Sequence, residues 1–210
     1  MFISFEGLDG CGKTTQAQLL FDRLQKAGYE ALAVREPGGT LLSEAVRGLL
    51  LNADLHIAPF AELLLFSASR NQLCTEVIRP ALAAGKIVVA DRFLDSSVAY
   101  QGYGRGVADP DWMVDFQLKA TDGLLPDVTY WVQVSPELAR ERRGHRAEDR
   151  IERAGDAFFA RVHEAYHQLA ARFPERYVEI SGDQSIAAIH EAIWLDFQSR
   201  VISSETKHPR

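Results

Sequence analysis

Residues Phe2-Ile3-Ser4-Phe5 open the chain with a short, mostly apolar run that ends at Gly7, a pattern that suits a buried strand. From Thr14 the period lengthens, with Ala17, Leu20, Phe21 and Leu24 at helical spacing before Gly28, a natural C-terminal stop. Glu30 to Arg35 reads as a second strand and closes a βαβ unit. Beyond the loop Glu36-Pro37-Gly38-Gly39, helices are expected at 41–51 and 60–83, followed by Lys86-Ile87-Val88-Val89-Ala90-Asp91, the clearest strand in the chain. Further strands are expected at 128–134 and 177–181, and further helices at 110–121, 136–143, 154–172 and 184–200. Helices alternating with continuous apolar strands predict an α/β fold in which a parallel sheet of about five strands is covered on both faces.

Composition narrows the class. The chain has 210 residues, 47% of them hydrophobic and 25% charged, so it can bury a sizeable core. A single domain over 1–202 is expected, with a polar tail at 203–210. The formal net charge of −6 supplies no basic field for a nucleic-acid backbone, so no nucleic-acid partner is expected. Two cysteines, Cys11 and Cys74, cannot form a disulfide framework or a four-thiolate zinc site, which points to a reducing compartment. With no basic leader and no apolar run near the length of a membrane span, the reading is a cytoplasmic protein with no membrane partner.

The chemistry begins at Gly7-Leu8-Asp9-Gly10-Cys11-Gly12-Lys13-Thr14, which fits G-x-x-x-x-G-K-[ST] between the first strand and the first helix. Its glycines let successive N–H groups point inward, and the helix that follows adds the positive end of its dipole, so a polyphosphate is cradled there. Lys13 is expected on the β/γ-phosphates of a nucleoside triphosphate, and Thr14, with Asp91 at the end of its strand, on Mg²⁺. The fold is therefore expected to be that of a P-loop NTPase. A guanine-reading N-K-x-D is absent. Two clusters suggest a second substrate facing the loop: Asp91-Arg92-Phe93 at a strand's carboxyl end, and six arginines between 140 and 153 that would form a short Arg-rich lid.

Taken together, Phe5-Glu6-Gly7-Leu8-Asp9-Gly10-Cys11-Gly12-Lys13-Thr14-Thr15, Arg35-Glu36-Pro37-Gly38-Gly39-Thr40, Phe66-Ser67-Ala68-Ser69-Arg70, Asp91-Arg92-Phe93 to Tyr100-Gln101-Gly102 and Asp149-Arg150-Ile151-Glu152 resemble the bacterial thymidylate kinases, in order and over about residues 2–200. The resemblance implies γ-phosphoryl transfer from ATP to dTMP with Mg²⁺, in a homodimer. It implies that Asp9 accepts from the deoxyribose 3′-hydroxyl and that Arg35 and Arg92 hold the dTMP phosphate. It also implies that Phe66 stacks on thymine, that Arg70 donates to a base carbonyl, and that Ser96, Ser97, Tyr100 and Gln101 line the rest of the pocket, with Tyr100 crowding a ribose 2′-hydroxyl. The family carries a catalytic arginine either in the P-loop or in the lid. Here Gly10 stands at the loop position, so the lid is implied, with Arg150 preferred and Arg146 and Arg143 next.

Two positions depart from the family pattern: Gln133 where an aspartate is frequent, and Phe93 where Tyr or His is usual. The first shifts weight onto Asp91, and the second leaves Phe93 a packing role. Without the resemblance, Arg70 reads as a surface helix residue, Phe66 as core and the arginine run as a solvated, ion-paired helix. Cys11 reads as a small loop filler, and His163 with His167 lacks the glutamate of a metalloprotease pair. A deoxynucleoside kinase, whose acceptor is a neutral hydroxyl, and a nucleotide-dependent switch are the alternatives.

Overall fold

The computed structural model describes residues 1–144 and 149–207. Five parallel strands, β1 (Phe2–Glu6), β2 (Ala31–Arg35), β3 (Ile87–Asp91), β4 (Val128–Gln133) and β5 (Tyr177–Ser181), form one sheet in the order β2-β3-β1-β4-β5. The apolar runs explain that order. Every residue of β1 and the first four of β3 are buried, as central strands covered on both faces require, whereas the edge strands β2 and β5 are mostly half-buried or exposed.

The helices are α1 (Lys13–Lys26), α2 (Leu41–Leu51), α3 (Pro59–Leu73), α4 (Arg79–Ala83), α5 (Leu94–Ser97), α6 (Pro110–Ala120), α7 (Pro136–Arg143), α8 (Asp156–Arg172) and α9 (Ile186–Lys207). They depart from expectation in three places. The single helix expected over 60–83 is α3 and α4 joined by a π-helical turn, Cys74–Ile78. Pro80 has no N–H for the helical ladder and its ring crowds the preceding turn, so the backbone widens just before it. Helix α5 and its π-helical continuation Val98–Gly104, almost wholly buried, were not legible as a helix. Helix α9 continues to Lys207, past the expected start of the tail at Ser203.

The two sides of β1 carry different contents. Ile3 and Phe5 pack with Leu20, Leu24, Ile193 and Phe197, an apolar layer beneath α1 and α9. Phe2 packs with Ile78, Val88 and Phe93, but Ser4 and Glu6, which alternate with Ile3 and Phe5, are fully buried and polar. Ser4 Oγ meets Thr129 Oγ1 at 2.9 Å, Arg176 donates to Thr129 Oγ1 at 3.0 Å, and Arg176 also grips Asp95 through two bonds of 2.6 and 2.8 Å. This buried polar seam leads to the carboxyl ends of β1 and β3, where ligands of open α/β sheets bind.

Candidate active site

A cavity of about 260 Å³ opens at those carboxyl ends, and residues from seven parts of the chain line it. One end is the P-loop. Gly7 has φ 137°, and a Cβ there would lie 2.6 Å from Val132 O, so only glycine can pass beneath β4. Lys13 is buried and folds back on its own loop, donating to Leu8 O at 3.4 Å and Asp9 Oδ1 at 3.2 Å. Thr14 Oγ1 donates to Asp91 Oδ2 at 2.5 Å, while Asp91 Oδ1 is buried and has no hydrogen-bond partner among the described residues. Thr15 is exposed. Cys11 is buried and burial pushes its thiol pKa up, against the pull of Lys13, which makes it a poor nucleophile.

Opposite the loop stands a cluster of arginines. Arg92 occupies left-handed backbone, φ 74°, at the end of β3, a conformation that costs a side-chain-bearing residue free energy. Glu6 holds the turn by accepting from Phe93 N at 2.8 Å, and it also accepts from Ser96 Oγ at 2.6 Å and Tyr166 OH at 2.8 Å. Arg92 then reaches Asp9 Oδ1 and Ser96 Oγ, each at 2.8 Å, and Tyr100 OH at 3.0 Å. Burial alone would raise the Asp9 pKa, but Arg92 and Lys13 outweigh it and hold the carboxyl well below its ordinary range. In Glu6 the balance goes the other way. Burial, reinforced by Asp95 and opposed by Arg92, pushes it up to about 7.

Arg35, half exposed, spans Glu44 with two bonds of 3.1 Å, and Arg47 donates to Pro37 O at 2.9 Å. Both line the cavity. Burial lowers the Arg47 pKa and the Arg35 charge lowers it further, so an anion is the natural neighbour for this pair.

The far end combines aromatic rings with polar side chains. Phe66, Ser97, Tyr100 and Gln101 line it together with Arg70. The sequence alone left Arg70 on a surface, but its guanidinium is 1% exposed. It donates through Nε to Glu36 at 2.8 Å, through Nη1 to Ser97 Oγ at 2.9 Å and Gln117 Oε1 at 2.5 Å, and through Nη2 to Phe93 O at 3.2 Å, with Glu36 Oε2 also 2.6 Å from Nη2. The guanidinium is thus fixed before any ligand arrives, and Ser97, which accepts from it, keeps a hydroxyl proton to donate. Phe93 is fully buried edge-on to Phe2, the packing role expected of it. Gln133 Nε2 faces His163 Nε2 at 3.5 Å, away from the residues that line the cavity.

The lid arginines divide. Arg143, the last residue of α7, donates to Asp9 O at 2.8 Å and lies 4.7 Å from the centre of the Phe159 ring. Its Nε is buried without a partner among the described residues. Arg150, preferred from the sequence, donates instead to Leu50 O at 3.0 Å and to Glu62 at 2.5 Å. Arg146 lies outside the described residues. Arg140 pairs with Asp156 and Arg142 with Gly182 O, each at 2.8 Å.

Sequence reasoning passed over Arg47 and Glu62, and it gave no role to Glu6, Glu36, Asp149 and Ile151, although these stand in the motifs that carry the resemblance. Arg47 and Asp149 sat inside stretches already assigned to a helix and to the lid, and only their shared wall of the cavity sets them apart.

The model of the thymidylate kinase family matches residues 5–193. A thymidylate kinase of Thermoanaerobacter sp. (strain X514) is 49% identical over 192 residues, covering 91% of this chain and 94% of that protein. A thymidylate kinase of Gloeobacter violaceus is 47% identical, covering 92% of each. The crystal structure of thymidylate kinase from Ehrlichia chaffeensis superimposes with a TM-score of 0.77 at 35% identity, covering 94% of this chain and 98% of that one.

Proposed function

The chain belongs to the thymidylate kinase family and transfers the γ-phosphoryl group of ATP to dTMP, giving dTDP and ADP; from that premise we propose which of its residues carry the reaction. The observation that supports this reading best is one cavity lined by Lys13, Thr14 and Asp91 at one end and by Arg35, Arg47 and Arg92 beside Phe66 and Gln101 at the other. A neutral hydroxyl acceptor would give three arginines nothing to bind, whereas a phosphate acceptor uses all of them. The test is ATP turnover in a coupled assay. It should be steady only when dTMP is present, and equal turnover without dTMP or with thymidine in its place would overturn the assignment.

The P-loop N–H groups and Lys13 hold the ATP phosphates. As they arrive, Lys13 exchanges Asp9 for the β/γ-oxygens, which leaves Asp9 with Arg92 and free to accept from the 3′-hydroxyl of dTMP. Arg35, Arg47 and Arg92 hold the dTMP phosphate, one of whose oxygens attacks the γ-phosphorus while the β–γ bridging oxygen leaves with ADP. The nucleophile is already an anion, so no general base is needed. Catalysis consists of positioning and of cations placed on the charge that develops. Of the described lid arginines, Arg143 is the better placed for that role, since it already bonds to the loop that carries the phosphates.

Mg²⁺ is part of the proposal, and the residues fit it. Hard oxygens converge in Thr14 Oγ1 and Asp91, whose unpartnered, buried Oδ1 awaits a donor or a cation's water. Among the described residues no group of three or more His, Cys, Asp or Glu could hold a metal, so the ion would keep water and phosphate oxygens as its other ligands. When bound it would neutralise charge on the β- and γ-phosphates.

A homodimer is the second part. Phe60 and Leu64 on α3 and Trp112 on α6 expose 50%, 45% and 40% of their surfaces, and Trp112 stacks on Phe116 at 5.0 Å. An apolar patch shared by two helices is better covered by a second copy than by water. Light scattering should give twice the chain mass, and Phe60→Glu should reduce it to one. No helix among the described residues is long and apolar enough to cross a membrane. Both cysteines are free and buried, in keeping with the cytoplasmic setting proposed.

A further inference from the structure

Glu62, on α3, is fully buried and lies outside the residues assigned to either substrate. Its Oε1 accepts from Gln101 Nε2 at 2.8 Å and from Arg105 Nε at 3.3 Å. Its Oε2 accepts from Arg105 Nη2 at 3.3 Å and from Arg150 Nη1 at 2.5 Å. Burial pushes the Glu62 pKa up, but the Gln101 bond and the two guanidiniums outweigh it and leave the carboxyl below its ordinary value.

We propose that Glu62 is a positioning residue for base selection, acting through Gln101, whose amide it locks with the carbonyl oxygen turned toward the base. This rests on the assignment of dTMP to the cavity. A carboxylate has acceptors only, so the side of the Gln101 amide that faces it must be the NH₂ group, and the amide cannot turn over without setting acceptor against acceptor. Gln101 lines the cavity, and no donor among the described residues bonds to its Oε1. That oxygen suits the N3–H of thymine. Cytosine has a bare N3, an acceptor, and meets the same oxygen with repulsion.

The contacts also fix what a neutral isostere does. In Glu62→Gln the amide oxygen favours the Oε2 position, where two guanidiniums donate and Arg150 stands at 2.5 Å, and the NH₂ takes the Oε1 position beside Gln101, giving up the longer 3.3 Å bond from Arg105 Nε. Two NH₂ groups then face each other, so Gln101 turns over and presents its own NH₂ to the base, unfavourable to thymine N3–H and favourable to cytosine N3. Arg70 still opposes the cytosine amino group, so dCMP does not become a good substrate.

The experiment measures kcat/KM for dTMP and dCMP. In Glu62→Gln the dTMP/dCMP ratio should fall about 10- to 100-fold, the range for a buried polar group mispaired, with dTMP falling and dCMP rising. Arg105→Met, which loses an ion pair but leaves the Gln101 bond, should lower the melting temperature and keep the parental ratio. If both substrates weaken together in Glu62→Gln, or the ratio holds, Glu62 has only a structural role and the inference falls. Should Glu62→Gln not fold, Glu62→Asp decides, because it keeps the charge but withdraws it from Gln101 by one methylene. A reduced ratio supports the inference and a parental ratio overturns it. A parent enzyme that does not use dTMP would instead refute the substrate assignment itself.

Discussion

Arg143 donates to the main-chain carbonyl of Asp9 at 2.8 Å, across 134 residues of sequence. Gly10 makes the approach possible: a Cβ there would stand 2.4 Å from Ala139 O and 3.2 Å from Arg143 Cγ. The end of α7 therefore rests on the part of the P-loop that has no side chain. A guanidinium from the arginine-rich segment thus stands beside the loop where Gly10 supplies no side chain.

The first expected outcome follows from that contact. Arg143→Ala should lower kcat by about 10³–10⁵, the range for an arginine supplied to a phosphoryl-transfer transition state, with little change in KM for dTMP. Arg150→Ala should mainly reduce stability, because it strips a partner from buried Glu62. Steady-state kinetics and thermal melts on both variants decide. A large kcat loss in Arg150→Ala with none in Arg143→Ala would restore the sequence-based preference.

Lys13→Ala should lower kcat by about 10² or more, because a cation that follows the transferring phosphoryl is lost. The fold should survive, since Asp9 keeps Arg92 and Tyr100 as partners. A folded variant with parental turnover would remove the P-loop from the mechanism.

Some of this site was legible in the chain and some was not, for a physical reason. The P-loop is local, so its glycines, Lys13 and Thr14 stand within eight residues and state their geometry by spacing. The strands announce themselves by short, mostly apolar runs, unbroken up to Asp91 in β3 but interrupted by Ser4 in β1 and by Glu179 in β5. Glu6, Glu36 and Glu62 look like any solvated acid, because what sets them apart in the fold is burial beside a partner far along the chain. Glu6 meets Tyr166 at a separation of 160 residues, Glu36 meets Arg70 at 34, and Glu62 meets Arg150 at 88. Arg70 shows the same limit from the other side, since its helical spacing was readable but its burial was not.

The raised Glu6 pKa predicts a pH signature. In the unfolded chain the carboxyl titrates near its ordinary 4.5, and in the fold near 7. Between those values the folded state binds more protons, so this group's contribution is fully present below 4.5 and is lost as pH rises through about 7. A displacement of that size corresponds to a loss of roughly 3 kcal/mol. His163 and His190, whose pKa values burial lowers, act in the opposite sense, so the difference between parent and Glu6→Gln isolates Glu6. Melts from pH 5 to 8 should show the parent losing stability relative to the variant, and parallel curves would show that Glu6 stays ionised throughout.

The last expected outcome concerns the 4-position of the base. A guanidinium has donors only, and those of Arg70 are fixed by Glu36, Gln117, Ser97 and Phe93 O before substrate enters. A thymine 4-carbonyl completes that arrangement by sharing an Arg70 N–H or accepting the Ser97 hydroxyl. A cytosine 4-amino group brings donor against donor and leaves both unpaired. Discrimination that rests on a required hydrogen bond can reach about 10⁴–10⁵, while the methyl that separates dTMP from dUMP is worth about 10–200-fold in kcat/KM. The expected order is dTMP, then dUMP, then dCMP far behind. Arg70→Ala leaves Glu36 buried without its cation, so the melting temperature should fall, and kinetics belong well below it. In that variant the dTMP/dCMP gap should narrow much more than the dTMP/dUMP gap. It should not close, because Gln101 still reads N3. Measuring kcat/KM for the three monophosphates on both proteins decides between the readings: a variant that rejects dCMP as strongly as the parent would leave Arg70 as scaffold for Glu36 and assign the 4-position to Ser97 alone.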